Sequence, residues 1–85
     1  MYPTIVCVDP QEDYQLLLTF DNGEKRIFDV KPYLGIGIFQ ELSDIDLFNT
    51  VKTSFDTVEW DNKADLDPEV LFLDSKVVEL RKVEM

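Results

Sequence analysis

An α+β fold, with a small antiparallel sheet that opens as a β-meander or hairpin and packs against short helices, is predicted by three features of this 85-residue chain. Short runs rich in β-branched and aromatic residues reach as far as Val30. Asn22-Gly23 separates two of these runs, as a hairpin turn would. At Ile38, Phe39 and Leu42 the apolar residues fall at i, i+1 and i+4, the spacing of a helix face. A chain of this length makes one domain, 1–85, burying roughly 60–65% of its unfolded surface, with about 4–13 kcal/mol of stability. Its 45% hydrophobic content supplies a core and argues against disorder even at 31% charged residues.

Residues 2–8 read as a first strand ending at Asp9-Pro10, and Gln11-Glu12-Asp13 as a polar turn. Residues 14–20 and 24–30 read as second and third strands joined by a two-residue type I′ turn at Asn22-Gly23, where both residues take positive φ. That turn places Leu18 opposite Ile27 and Leu17 opposite Phe28, so apolar pairs appear on both faces of the ribbon. One face covers the core, and the other needs a helix, a loop or a second subunit, so a homo-oligomer is expected. Pro32 forces Lys31 out of the helical region and ends the third strand, with one helical turn at Tyr33-Leu34. A short amphipathic helix follows from Ile38, and a second starts at Ser43-Asp44-Ile45-Asp46 with the Ser43 hydroxyl as its cap. Leu47, Phe48 and Val51 form the apolar face of that second helix. Residues 51–55 and 57–61 read as two short strands turning at Asp56. Asp67-Pro68-Glu69 opens a last helical turn that carries Val70, Leu71 and Leu73 inward, and the tail, 81–85, is expected to fray.

Charge restricts the partners. The net charge is −10 at pH 7, and no histidine is present to adjust it. Each phosphate contact needs a Lys or Arg, so direct nucleic-acid binding and anionic membranes are disfavoured. A basic protein partner and a second copy of the chain are the partners to expect, beside a simple role of charge in solubility. Cys7 is the only cysteine, so no internal disulfide forms; in Ile5-Val6-Cys7-Val8 it reads as a buried strand residue. With no long apolar run and no signal peptide, a reducing cytoplasm is the expected compartment.

Motifs that could carry chemistry are incomplete. Gly35 and Gly37 in KPYLGIGIF begin a dinucleotide fingerprint, but Gln40 stands where its third glycine belongs, and no Gly-Lys-Ser/Thr follows. The pair reads as a corner between sheet and helix, and no cofactor is expected. Asp61, Asp65, Asp67 and Glu69 crowd one loop and are the weak metal candidates. A calcium frame begun at Asp65 meets Val70 at its glycine position and Lys76 at its bidentate position. Without histidine, Ser-His-Asp and Cys-His mechanisms are excluded, and carboxylate pairs without a cleft identify no catalytic residues. Trp60, alternating with Val58, is favoured as core over an exposed anchor.

Taken together, Phe20-Asp21-Asn22-Gly23-Glu24, Phe28-Asp29-Val30, Gly37-Ile38-Phe39 leading to Leu42 and Phe48, and Trp60 followed by Asp65-Leu66-Asp67-Pro68-Glu69-Val70-Leu71 resemble the bacterial domain-of-unknown-function family 2442. The resemblance runs from the first strand to about Leu73, and it rests on the order and spacing of short motifs. It implies a small α+β domain, found alone or ahead of a helix-turn-helix segment. In some members it implies an antitoxin-like pairing with a second small protein. No helix-turn-helix is expected after so short a run beyond Leu73, so a DNA-binding role is not expected to carry over. A name from molybdopterin-guanine dinucleotide biosynthesis, borne by some members, fits poorly without a nucleotide loop. No catalytic residues carry over either. Asp29, Trp60, Asp65 and Pro68 fall on recurring positions and, with Leu17 and Phe28 of the ribbon, are the expected interaction surface.

Two readings follow. The first is a non-enzymatic protein-interaction module, a homo-oligomer or an antitoxin-like partner of a basic protein. The alternative is a small-ligand or divalent-metal-binding domain using the 61–69 loop.

Overall fold

Leu16, Leu18 and Phe20 recur with the period of two that buries one face of a strand, and all three are inaccessible to solvent. They lie on β2 (Gln15–Phe20), which pairs antiparallel with β1 (Ile5–Gln11) on one side and with β3 (Lys25–Asp29) on the other. A computed structural model describes residues 2–79 of the chain, and the expected fraying of 81–85 lies outside them. Among the described residues, β6 (Lys76–Glu79) joins β3 to complete an antiparallel sheet of order β1-β2-β3-β6. A separate hairpin, β4 (Lys52–Ser54) with β5 (Thr57–Glu59), lies near β1. Two short helices, α1 (Ile45–Phe48) and α2 (Pro68–Leu73), and three 3₁₀ segments at Glu12–Tyr14, Lys31–Tyr33 and Gly37–Ser43 make up the rest. This is the α+β architecture that the chain's patterning predicts.

The inner face of the sheet meets an aromatic cluster. Trp60 is wholly buried, tilted against Phe48 at 6.2 Å between ring centroids and edge-on to Phe39 at 6.4 Å. Its indole N–H donates to the Phe48 carbonyl at 3.0 Å, so the polar atom of a buried ring is satisfied. Arg26 fastens the other end. Its guanidinium lies 4.0 Å from the Phe72 ring centroid, donates to the Phe72 and Ser75 carbonyls at 3.3 Å each, and pairs with Glu24 at 2.9 Å. Carbonyls left over at the end of α2 are thereby bonded from β3.

Several expectations are corrected. The β2–β3 hairpin turns through three residues, Asp21-Asn22-Gly23, with Gly23 alone at positive φ (91°), a Gly23 N–H to Phe20 carbonyl bond at 3.0 Å and a Phe20 N–H to Glu24 carbonyl bond at 2.9 Å. One extra loop residue slides the register by one. Leu16 therefore faces Phe28 and Leu17 faces Ile27, while Leu18 faces Arg26. Phe28, expected at an interaction surface, is brought to the inner face and is only 1% exposed. The first strand runs on through Asp9 and Pro10 to Gln11, which an edge strand tolerates because the missing proline N–H need not serve the ladder. A bulge between Ile5 and Cys7 moves Cys7 to the face opposite Ile5, so the cysteine is exposed rather than buried. Asp44, not Ser43, caps α1, its carboxylate accepting from the Asp46 N–H at 3.0 Å. The helix expected from Ile38 is 3₁₀, and Leu73, expected inside, is exposed. β6 was not foreseen at all, although Lys76-Val77-Val78-Glu79 carries paired β-branched residues.

Candidate interaction surface

The corrected register decides what the far side of the sheet presents. Cys7 and Asp9 of β1, Leu17 and Thr19 of β2, Ile27 and Asp29 of β3 and Lys76 and Val78 of β6 alternate away from the core. None of these eight is buried. Leu17 pairs directly with Ile27, and Lys76 stands opposite Ile27 on its other side. Here the sheet dips into a hollow of about 380 Å³ lined by Gln15, Ile27, Asp29, Asp74, Lys76 and Val78.

The Asp29 carboxylate at the rim is already engaged. Lys31 reaches Asp13 at 3.0 Å and Asp29 at 3.1 Å. The hydrogen bond to Asp13, and then that to Asp29, holds the Lys31 ammonium above the usual lysine range. The Lys31 clamp also accompanies backbone strain, since Asp13 and Tyr14 both take positive φ, 65° and 59°. The Tyr33 hydroxyl lies 3.5 Å from the Asp74 carboxylate, and its pKa is raised, first by burial and then by that negative charge.

The residues expected to form a surface do not all come together. Leu17 and Asp29 share the outer face; Asp29 also ends β3 by accepting the Lys31 N–H at 3.0 Å. Phe28 and Trp60 lie in the core. Asp65 bridges backbone to Glu59, and Pro68 opens α2 behind its Asp67 cap. The acidic loop is likewise spread among local duties. Asp61 pairs with Lys52 at 3.3 Å, Asp67 accepts from the Glu69 N–H at 2.8 Å, and Glu69 lies 3.5 Å from the Tyr2 hydroxyl. Among the described residues no three Asp, Glu or Cys side chains converge to hold a metal ion. At the two glycines, Gly37 takes φ 51° where the 3₁₀ segment begins, and the Gln40 amide donates to the Gly35 carbonyl at 3.2 Å. No helix among the described residues is long and apolar enough to cross a membrane.

Three contributors escaped the sequence reading. Val78 and Lys76 belong to the unforeseen β6, and Phe55 lies not in a strand but at the turn of the second hairpin, 98% exposed. A model of the family described as protein of unknown function, DUF2442, matches residues 5–76. The chain belongs to the DUF2442 family. The match spans β1 to the first residue of β6, so the whole inner core of this DUF2442 chain lies within it. No curated protein and no solved structure matches the chain.

Proposed function

We infer that this DUF2442 chain is a non-enzymatic interaction module that binds another polypeptide through the outer face of its four-stranded sheet. The observation that carries this reading is the pairing of Leu17 with Ile27, beside Val78, on a face where no residue is buried. Apolar side chains held together in water by a sheet gain free energy when a partner covers them, roughly 25 cal/mol per Å² removed from water. A net charge of −10 supports a basic protein as the foreign partner, the antitoxin-like pairing that the resemblance implies; the alternative partner is a second copy. An exposed, unbridged Cys7 suits the reducing cytoplasm.

Sedimentation velocity of the purified chain, and low-salt capture of partners from lysate, are each repeated with Ile27→Asp. A complex that is lost in the variant at unchanged melting temperature is the expected result. A complex indifferent to Ile27→Asp, or no complex of either kind, overturns the reading.

A further inference from the structure

The turn of the β4–β5 hairpin holds an exposed aromatic residue at positive φ. Ser54 pairs with Thr57, leaving Phe55-Asp56 as a two-residue loop, and Phe55 takes φ 57°. Gly or Asn adopts that left-handed conformation most readily, whereas an aromatic Cβ crowds the backbone there. The side chain gains nothing in return within the described residues, being 98% exposed. Strain and solvent-exposed aromatic surface at one position are what an interface anchor looks like before its partner arrives.

We propose that Phe55 inserts into the outer-face hollow of a second copy, each copy giving one tip and receiving one. The inference rests on the reading of that face as an interaction surface. The hollow, at about 380 Å³, is at the small end of the roughly 300–1,000 Å³ range of pockets that enclose an organic group. Ile27 and Val78 give it an apolar lining, suited to a phenyl ring. Exposed Asp56, next to Phe55, meets exposed Lys76 at the rim; of the hollow's two carboxylates, Asp29 pairs with Lys31 at 3.1 Å, a lysine it shares with Asp13, and Asp74 lies 3.5 Å from the Tyr33 hydroxyl. A reciprocal exchange is isologous, so the assembly closes at two copies instead of growing into a filament.

Charge distinguishes this occupant from a foreign one. Two bodies of −10 repel each other, and salt screens that repulsion, so the homodimer tightens as salt rises. A complex with a basic protein loosens over the same range.

The test is sedimentation equilibrium of the full chain at about 0.05 M and about 0.5 M NaCl. Wild type is compared with Phe55→Ser, with Val78→Asp and with an equimolar mixture of the two variants. The expected result is a wild-type dimer, tighter at high salt, weakened about tenfold or more in either variant. The mixture recovers part of the affinity, because the Phe55 of one variant meets the intact hollow of the other. A wild type that stays monomeric at both salts overturns the exchange, and the basic-partner form of the functional reading is then left to its own capture experiment. A dimer lost in Ile27→Asp but indifferent to Phe55→Ser overturns the role of Phe55 alone. A mixture as weak as either variant overturns the reciprocal geometry.

Discussion

The β2–β3 hairpin turns through Asp21-Asn22-Gly23 with glycine at φ 91°, whereas the β4–β5 hairpin turns through Phe55-Asp56 with phenylalanine at φ 57°. The first turn spends its special conformation on the one residue type that adopts it without steric cost, and its tip is polar. The second places a bulky apolar residue in the same region of backbone space and leaves it in water. Both hairpins have well-packed bases: Phe20 and Phe28 flank the first turn's strands, and Val58 and Trp60 lie on or just beyond β5. The difference is therefore confined to the tips. Positive φ alone does not mark an interface, since Tyr14 at 59° packs its ring on Phe48 and Lys63 takes 75° in a polar turn; what sets the Phe55 tip apart is that its strained residue is also a large apolar side chain left in water.

The contrast between base and tip within the second hairpin is broken most severely by Trp60→Ala. Loss of a wholly buried indole, its contacts to Phe48 and Phe39 and its bond to the Phe48 carbonyl is expected to cost about 3–5 kcal/mol, read from urea denaturation. Arg26→Ala, which unfastens β3 from the end of α2, is expected to cost about 2 kcal/mol. Arg26→Lys recovers only part of it, since an ammonium cannot bond both carbonyls while lying flat on the Phe72 ring.

Exchanging the turn chemistries gives smaller effects of opposite sign. Gly23→Ala meets open space but keeps a left-handed φ, so it is expected to destabilise by about 1 kcal/mol. Phe55→Gly relieves the same strain and, at concentrations too dilute for association, is expected to stabilise by about 0.5–1 kcal/mol. Equal signs for the two substitutions would break the comparison.

The smallest effect is alkaline. Lys31 and Tyr33 both have folded pKa values raised above the unfolded ones, 10.5 and 10.0. Each group's contribution is thus fully present below its unfolded pKa and is lost as pH rises through the folded one. Thermal melts from about pH 9 to pH 12 are expected to show stability falling above about pH 10, with a shallower fall in Lys31→Met.

Much of the fold is legible in the chain because local rules and tertiary demands agree. The alternation of Leu16, Leu18 and Phe20, the Asp67-Pro68 helix start and the burial of Trp60 beyond Val58 are all read from spacing and residue type. The register of the first hairpin is less legible, since Asn-Gly serves a two-residue turn and a three-residue turn with glycine last almost equally well. That single residue decided whether Phe28 lay at the surface or in the core. Cys7 was hidden by the bulge at Val6, which nothing in Ile5-Val6-Cys7-Val8 announces. The part of the outer face that Lys76 and Val78 supply was illegible because it depends on β6, a short edge strand held by pairing with β3. Phe55 read as part of a strand because aromatic residues favour strands, and its turn position follows from the pairing of Ser54 with Thr57.

The most direct test of the claim that the outer sheet face and the Phe55 tip serve association is the melting temperature as a function of protein concentration. Between about 5 and 500 μM the wild type is expected to melt several degrees higher at the upper end, because association stabilises the folded chain by mass action, while Ile27→Asp shows no such rise. A wild-type melting temperature that is flat across this range, and parallel to that of Ile27→Asp, would contradict it.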